Sequence, residues 1–269
     1  MSRIVDEISK LSIPNKDLWI AEANFGFSHI SEFLKETKAN ADILEIGCGS
    51  GILLSICHES FPEKNYVGLE PFGSGFDCLK RLNKAVQEMG IEISNKSYEA
   101  YRSEKKFDLI FAINVFEHLD DWKHNLEWIS NHLKAGGKFI TLQPNYSFPY
   151  ESHFKLPIIF NKKFTHLVFK SYITNFENEN ECPGLWKSLN FIKKRQVKSF
   201  ITKCNIDLKL DDLPIIDEMI NRLTTDDEFL KRQKIIGYAA KIIKATGLLK
   251  LSTLLTNYLP YMKLVFTKH

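Results

Sequence analysis

The 269-residue sequence lacks the features that mark several broad classes of protein. Its five cysteines are odd in number, scattered and without a C-x-x-C pair, which argues against a disulfide framework or a zinc site. No apolar run approaches the roughly 20 residues that a membrane-spanning helix needs. Internal repeats and low-complexity segments are absent as well. What remains is ordinary in composition, with 44% hydrophobic and 26% charged residues, and long enough to bury a sizeable core in a reducing compartment.

The chain also lacks a strong excess of charge of either sign. Its formal charge of +3 is too small to indicate a nucleic-acid partner, and we expect none. The residues from 186 onward carry sixteen Lys and Arg against eight Asp and Glu, so the preceding residues are net acidic. The first residues, MSRIVDE, carry charges where a signal peptide has an apolar run. We therefore expect a cytoplasmic protein, or one bound peripherally at a membrane surface.

The stretch ILEIGCGSGILL reads as a short buried strand, a glycine-rich turn and the start of a helix. The strand, Ile43–Ile46, is apolar apart from Glu45, as expected in a parallel sheet. Gly47, Gly49 and Gly51 follow at alternate positions. Such a turn adopts positive φ readily, and a ligand can lie against its bare backbone with a helix N-terminus aimed at it. The stretch therefore predicts a ligand-binding loop.

Strands and helices alternate over the next hundred residues, which is the order of an α/β protein with a parallel sheet. A second strand at 65–71 contains Glu70, twenty-five residues after Glu45, or about one strand–helix–strand unit. A carboxylate at such a strand tip can accept hydrogen bonds from the vicinal hydroxyls of a ribose. The further predicted elements are strands at 91–94, 107–114 and 138–142 and helices at 76–89 and 122–133. The last helix is stopped by a turn at 134–137, which contains Gly136 and Gly137.

Two patterns resemble motifs of the class I S-adenosylmethionine (SAM)-dependent methyltransferases, type 11/12-like. They are the G-x-G-x-G turn with Glu45 inside its strand, and F-D-x-I followed by N-x-x-E-H-L at 107–119. The resemblance covers about residues 40–143 and is weaker at 191–269. It implies an α/β, Rossmann-like fold with a seven-stranded, mostly parallel sheet, an antiparallel last strand, and helical or irregular lid insertions. It also implies S-adenosyl-L-methionine as the cofactor and a methyltransferase activity (EC 2.1.1.-).

On this fold the chain divides into three parts. They are N-terminal helices with the SAM-binding half of the core at 1–144, a lid insertion at 145–190, and the remainder of the core at 191–269. The last part is expected to hold a helix at 191–203, a sixth strand at 205–210, a helical insertion at 211–258, and a last strand at 261–267 returning between the fifth and sixth. The N-terminal helices either cover the sheet or close Trp19, Phe25 and Phe27 over the cofactor.

The resemblance implies cofactor contacts at the carboxyl ends of the strands, where ligands bind in open α/β sheets. Glu70 would hold the ribose, and Asn114 would face the methionine part of SAM. The loop at 97–101 lies where related enzymes bind the adenine edge, although many of them have Asp where Ser97 stands. The predicted cofactor-binding residues are Glu45, Gly47, Cys48, Gly49, Gly51, Glu70, Pro71, Ser97, Tyr98, Asn114 and Val115.

Methyl transfer from SAM is an in-line displacement that depends on positioning and exclusion of water, and sometimes on a base. The candidate bases are His118, after the fourth strand, and Glu151 and His153, where the lid begins. His118 could equally be a helix-terminal histidine bonded to backbone, and the other two could be surface residues. Ubiquinone-pathway O-methyltransferases pair a similar Glu-His with a further acid where this chain has Asn114, so no metal site is expected here.

We therefore predict a SAM-dependent methyltransferase acting on a small-molecule or lipid- or sugar-linked acceptor, with oxygen as the favoured acceptor atom. One alternative is a nicotinamide-dependent oxidoreductase, whose G-x-G-x-x-G turn would place the third glycine one residue later. Another is a SAM-binding module without catalysis. Residues 229–251 mix apolar residues with lysines, and the segment either packs over the acceptor pocket or makes peripheral contact with an anionic membrane. The sequence leaves the oligomeric state open.

Overall fold

The computed structural model describes residues 3–73, 75–204, 206–213, 215 and 253–269. Nine strands are present in this part of the chain: β1 (Asp42–Ile46), β2 (Asn65–Leu69), β3 (Ile93–Ser94), β4 (Phe107–Ile113), β5 (Leu133–Pro144), β6 (Tyr150–Glu151), β7 (Leu156–Pro157), β8 (Leu208–Leu213) and β9 (Tyr261–Lys268). Seven of them form one sheet in the order β3-β2-β1-β4-β5-β9-β8, and β6 and β7 form a separate hairpin. β9 runs antiparallel to both of its neighbours, and the other pairs in the large sheet are parallel.

Eight α-helices are described: α1 (Arg3–Lys10), α2 (Lys16–Glu36), α3 (Ile52–Ser60), α4 (Lys80–Glu88), α5 (Trp122–His132), α6 (Lys162–Glu179), α7 (Leu185–Ser188) and α8 (Lys194–Lys203). Short 3-10 turns lie at Asp77–Leu79, Phe116–His118 and Thr253–Tyr258. Strands and helices alternate through the first half, as the sequence predicts. The sheet with its antiparallel last strand confirms the predicted Rossmann-like α/β fold.

The central strands are buried on both faces. Ile43, Leu109 and Phe111 pack against α1 to α4 in one apolar cluster, whereas Leu44 and Ile110 pack against α5 and α8 in another. All five side chains are 0% exposed. Because helices cover both faces of a parallel sheet, its strands are apolar at successive positions. This burial explains why β1 and β4 could be located from the sequence.

The N-terminal helices lie against one face of the sheet. Trp19 and Phe27 of α2 are partly buried against the apolar cluster that includes α3. A Cβ added at Gly26 would lie 2.8 Å from Leu53 Cδ2, so this glycine allows α2 and α3 to approach closely. Phe25 makes its ring contact with a histidine of its own helix. These contacts support the interpretation in which the N-terminal helices cover the sheet.

α5 has nearly the predicted bounds, but the residues after it form a strand rather than a turn. The helix is capped at its start by Asp121, whose carboxylate accepts two backbone N–H groups of the first turn. It ends at His132, and the chain enters β5 at once. The predicted helix end at Leu133 is therefore correct to within one residue, whereas the turn predicted at 134–137 is wrong. The glycines lie inside β5, whose register against β4 shifts between Phe107 and Leu109, and Gly136 has a φ of 71°. Extra residues of this kind are accommodated as a bulge.

The second half contains more regular structure than its prolines and aromatic residues indicate. Residues 145–190 hold the β6–β7 hairpin and α6, which is capped by Asn161 accepting the Phe164 N–H at 2.9 Å. The sixth strand of the large sheet, β8, begins three residues later than predicted. The amphipathic segment predicted at 229–251 lies outside the described residues. Within the described part of the chain, no helix has the length and apolar character that a membrane crossing requires.

Candidate functional site

The turn after β1 is built on three left-handed glycines. Gly47, Gly49 and Gly51 have φ values of 66°, 52° and 77°, a region that other residues adopt only with strain. The N–H groups of Gly47 and Cys48 donate to the Leu69 carbonyl at 2.8 and 3.0 Å. The turn is thereby fixed to the end of β2 before α3 begins.

Close packing also requires glycine at two of these positions. A Cβ at Gly47 would lie 2.6 Å from Val115 Cγ2, and a Cβ at Gly51 would lie 2.6 Å from Ile93 Cδ1. Real Cβ atoms do not approach other carbons this closely. Val115 follows β4 and Ile93 lies in β3, so the turn is enclosed by the carboxyl ends of neighbouring strands. The structure therefore brings together Gly47, Gly51 and Val115, three of the residues that are predicted to bind the cofactor.

Glu70 spans the turn from the tip of β2. Its Oε2 accepts the Gly49 N–H at 2.8 Å, and its Oε1 accepts the Phe72 N–H at 2.8 Å. The residue is 6% exposed. Burial raises the pKa of this carboxyl, while the two backbone N–H groups act in the opposite direction. Each oxygen keeps a second acceptor position, so the carboxylate can hold the turn and still accept from a ligand hydroxyl.

Glu45 is a buried acid next to the turn. It is 3% exposed, and its Oε2 has no hydrogen-bond partner among the described residues. Burial, and then the charge of Glu70, raise the pKa of Glu45 to about 8, against a smaller opposing effect from the Leu54 N–H. A buried acceptor without a donor is costly, and a cationic donor would both satisfy it and favour its ionised form.

Asn114, at the tip of β4, presents a second such oxygen. Its backbone lies in the left-handed region with a φ of 55°, held by a hydrogen bond from its N–H to the Leu142 carbonyl at 2.7 Å. Its Oδ1 is buried and has no partner within the described chain. Glu45 and Asn114 thus both present unsatisfied acceptors. An ammonium group, which SAM carries, could donate hydrogen bonds to these two oxygens.

The remaining residues predicted to bind the cofactor differ in burial and in hydrogen bonding. Cys48 is buried, and burial raises the pKa of its thiol, so it is a packing residue rather than a nucleophile. Pro71 is exposed beside Glu70. The Tyr98 hydroxyl lies 3.3 Å from the Asp121 carbonyl, and its ring packs beside α5. Ser97 accepts the N–H groups of a tight turn through its carbonyl and keeps a half-buried side chain.

A second polar group, here called the Glu117 cluster, comprises Glu117, His118, Glu151 and His153. The first two lie in the 3-10 turn after β4, and the other two lie at the β6–β7 hairpin. His153 Nδ1 is 2.7 Å from Glu151 Oε1, and His118 Nδ1 is 2.8 Å from Ser188 Oγ. The Nε2 atoms of both histidines lie 3.9 Å from Glu117 Oε1. The structure therefore brings together the three residues predicted as candidate bases.

The two acids of the Glu117 cluster have opposite environments. Glu151 accepts the hydroxyl of Tyr146, the ring of His153 and two backbone N–H groups. Burial acts to raise its pKa, but His153 and these donors hold the pKa of Glu151 below its ordinary value. Glu117 is 0% exposed, and neither of its oxygens accepts a hydrogen bond from another described residue. Burial raises the pKa of Glu117 to about 7, and the charge of His153 opposes the shift.

Three residues of these sites were not singled out from the sequence. Glu117 belongs to the E-H-L pattern, in which only the histidine was predicted as a base. Asn83 of α4 donates its amide to the Gly49 carbonyl at 2.7 Å and also lines a cleft of about 540 Å³ with Phe72 and Asn95. Ser188 comes from α7, and no local pattern marks it. Contacts of this kind depend on how the segment 145–190 folds back over the sheet.

Comparisons with known proteins give both a family match and similar sequences. Residues 21–182 match the family described as Methyltransferase domain. The chain is similar to an uncharacterized protein of Mycobacterium tuberculosis, with 34% identity over 217 residues, covering 79% of this chain and 73% of that protein. It is also similar to malonyl-[acyl-carrier protein] O-methyltransferase 2 of Ilyobacter polytropus, with 29% identity over 106 residues, or 39% of this chain and 40% of that one.

Solved structures share the fold at low sequence identity. Coclaurine N-methyltransferase bound to N-methylheliamine and S-adenosylhomocysteine (SAH) superposes with a TM-score of 0.51 at 16% identity, covering 92% of this chain and 70% of that one. Phosphoethanolamine N-methyltransferase 2 of Haemonchus contortus, with SAH and phosphomonomethylethanolamine, gives a TM-score of 0.50 at 16% identity. That alignment covers 99% of this chain and 59% of the Haemonchus protein.

Proposed function

This chain belongs to the class I SAM-dependent methyltransferases, and from that premise we propose that it methylates a hydroxyl oxygen of a small-molecule or lipid- or sugar-linked acceptor held at the Glu117 cluster. Family membership leaves no support for the nicotinamide-dependent or non-catalytic alternatives. The acceptor atom is the part that requires an argument from the residues.

The cofactor half of the proposal rests on the acceptors around the glycine turn. Glu45 and Asn114 would receive the ammonium group of SAM, because each has a buried oxygen without a donor among the described residues. Glu70 would receive the ribose hydroxyls through the acceptor positions not used by Gly49 and Phe72. SAM supplies a methyl group on a positively charged sulfur, and the enclosed turn would fix its direction.

The acceptor half rests on one observation, the ordered Glu151–His153 pair beside the tip of β4. Glu151 is held by several donors and accepts the Nδ1–H of His153, so Nε2 is the nitrogen that would act as the base. An oxygen acceptor needs such a base more than an amine does, because a hydroxyl must lose its proton as the methyl group arrives. The proton of the acceptor hydroxyl moves to Nε2 of His153 while the new O–CH3 bond forms. The bond between the methyl group and the sulfur breaks, and the sulfur leaves as a neutral thioether.

The experiment is an acceptor screen read by SAH release. Purified protein with SAM is incubated separately with alcohols, phenols, carboxylic acids and amines of matched skeletons, and SAH is quantified by mass spectrometry. The proposal expects turnover with hydroxyl acceptors, and His153→Gln should lower kcat while leaving SAH affinity unchanged. Turnover restricted to amines, with His153→Gln fully active, would contradict it.

A further inference from the structure

We propose that Glu117, His118 and His153 form a binding site for one divalent transition-metal ion of the zinc class. One oxygen or nitrogen atom from each of the three residues lies within 4.8 Å of the other two. Tetrahedral coordination at metal–ligand distances of about 2.0–2.1 Å places ligand atoms about 3.3 Å apart. The two separations of 3.9 Å to Glu117 Oε1 are therefore closed by small side-chain rotations.

The hydrogen bonds around the histidines fix which nitrogen each one offers. The Ser188 hydroxyl donates to the Leu185 carbonyl at 2.8 Å, so its oxygen accepts the Nδ1–H of His118. Glu151 likewise accepts the Nδ1–H of His153. Nε2 is therefore the nitrogen that each ring offers to an ion, and each Nε2 lies 3.9 Å from Glu117 Oε1. Metal-binding histidines characteristically donate their second nitrogen to a carboxylate or another acceptor in this way.

Glu117 provides an independent observation that points to a cationic ligand. It is 0% exposed, and neither carboxylate oxygen accepts a hydrogen bond from another described residue. Glu151, which is buried to the same extent and bonded to His153 in the same cluster, accepts hydrogen bonds from several donors. Burying a carboxylate without donors is costly, whereas a dication would satisfy it directly.

The ligand set indicates the class of ion. Mg²⁺ and Ca²⁺ prefer sites made of oxygen atoms, whereas two imidazoles and one carboxylate suit Zn²⁺ and neighbouring divalent metals. Two histidines and a glutamate are also a known set for catalytic zinc, which keeps a further coordination position open. No metal is expected from the sequence, because related enzymes have the additional acid where this chain has Asn114. In the structure the additional ligand would be His153 from the β6–β7 hairpin.

The catalytic use of this ion rests on the proposed function. An acceptor hydroxyl in the open position would be bound as a ligand, and its pKa would fall, so that its proton leaves to solvent or buffer before methyl transfer. With the ion bound, His153 is a ligand rather than the base, and the ion would activate the acceptor hydroxyl. In the metal-free protein the Glu151–His153 pair remains, and His153 would activate the hydroxyl as a base.

The test is metal binding to the full chain after treatment with a chelator and desalting. Calorimetric titration with ZnCl2 should show one site per chain, and MgCl2 at the same concentrations should show none. X-ray absorption of the zinc-loaded protein should show nitrogen and oxygen neighbours at about 2.0–2.1 Å and no sulfur. Zinc bound through sulfur would overturn the proposal, because five free cysteines offer an alternative set.

Matched variants locate the site. Ser188→Ala, which changes only the partner of His118, should weaken zinc binding about 10- to 100-fold, and Glu117→Gln should weaken it further. His132→Gln, at a histidine bonded to its own helix through the Trp128 carbonyl, is the control and should leave zinc affinity unchanged. Circular dichroism checks that each variant folds. Equal zinc affinity in wild type, Ser188→Ala and Glu117→Gln would overturn the site.

A parallel titration of the metal-free protein with SAH separates this inference from the proposed function. SAH binding and hydroxyl methylation that persist without zinc binding would remove the metal site and leave the proposed function standing. Zinc binding without any SAH binding would remove the proposed function and leave the metal site standing.

Discussion

Replacing Glu45 with glutamine should stabilise the protein at neutral pH while weakening its hold on SAM. Burial and the charge of Glu70 raise the pKa of Glu45 from 4.5 to about 8. A carboxyl whose pKa is raised by folding contributes its full stability below the unfolded pKa and loses it as the pH rises through the folded pKa. The wild-type protein therefore loses stability from this group between about pH 4.5 and 8, and glutamine does not.

The size of the effect follows from the two pKa values at about 1.36 kcal/mol per unit. The group costs the folded state about 1 kcal/mol at pH 5 and about 3 kcal/mol at pH 7. The free energy of unfolding of Glu45→Gln, relative to wild type, should therefore rise by about 2 kcal/mol between these two pH values. The absolute difference at either pH also contains the change in packing, so the change with pH is the quantity to measure.

The assay is urea unfolding followed by circular dichroism at pH 5 and pH 7. Glu32→Gln is the matched control, since this side chain is 72% exposed on α2 and its substitution should change stability by no more than about 0.5 kcal/mol at either pH. A wild-type minus Glu45→Gln difference that does not vary between pH 5 and pH 7 would refute the reasoning. It would mean that Glu45 keeps its charge in the folded protein.

Glu45→Gln also tests which part of the ligand Glu45 contacts. Losing a hydrogen bond to a charged group costs about 1.5–3 kcal/mol, so Glu45→Gln should weaken SAH binding about 10- to 100-fold. Binding of 5′-methylthioadenosine, which lacks the amino-acid part of SAH, should not change. Equal losses for both ligands would place Glu45 away from the ammonium group.

The remaining predictions concern the turn, the ribose and the helix cap. Gly47→Ala should abolish SAH binding and destabilise the fold by about 1–3 kcal/mol, because the φ of 66° at Gly47 and its contact with Val115 both exclude a Cβ. Calorimetry measures the binding and urea unfolding measures the stability, and an unchanged Kd for SAH would contradict the prediction. Glu70→Gln should weaken SAH and 5′-methylthioadenosine alike by about 10-fold or more, and a selective loss of SAH alone would reassign this acid. Asp121→Ala should lower the free energy of unfolding by about 0.5–2 kcal/mol without changing SAH affinity, since it removes only the cap of α5.

The first half of the fold could be predicted because its signals are local. β1 and β4 are apolar runs since the sheet is covered on both faces, and the three glycines mark a turn whose backbone needs them. The position of β9 was predicted from the family resemblance and is confirmed. Gly136–Gly137 led to a wrong turn prediction at 134–137, because a glycine pair is typical of a turn and of a strand bulge alike.

The Glu117 cluster could be predicted only in part because its geometry is not local. Its members come from the turn after β4 and from the β6–β7 hairpin, more than thirty residues apart in the chain. No periodicity connects Glu117 with His153, and Ser188 approaches His118 only because α7 packs over the 3-10 turn. Burial without a donor, the property that distinguishes Glu117 from Glu151, exists only in the folded protein.

The central claim is that the glycine turn, Glu45 and Glu70 hold SAM at the carboxyl edge of the sheet. Calorimetric titration of the purified chain with SAH at pH 7.5 tests it most directly. The account predicts one binding site per chain, with a Kd well below millimolar and a loss of affinity of about 10-fold or more in Glu70→Gln. A chain that takes up no SAH at millimolar concentration, while remaining folded by circular dichroism, would contradict it.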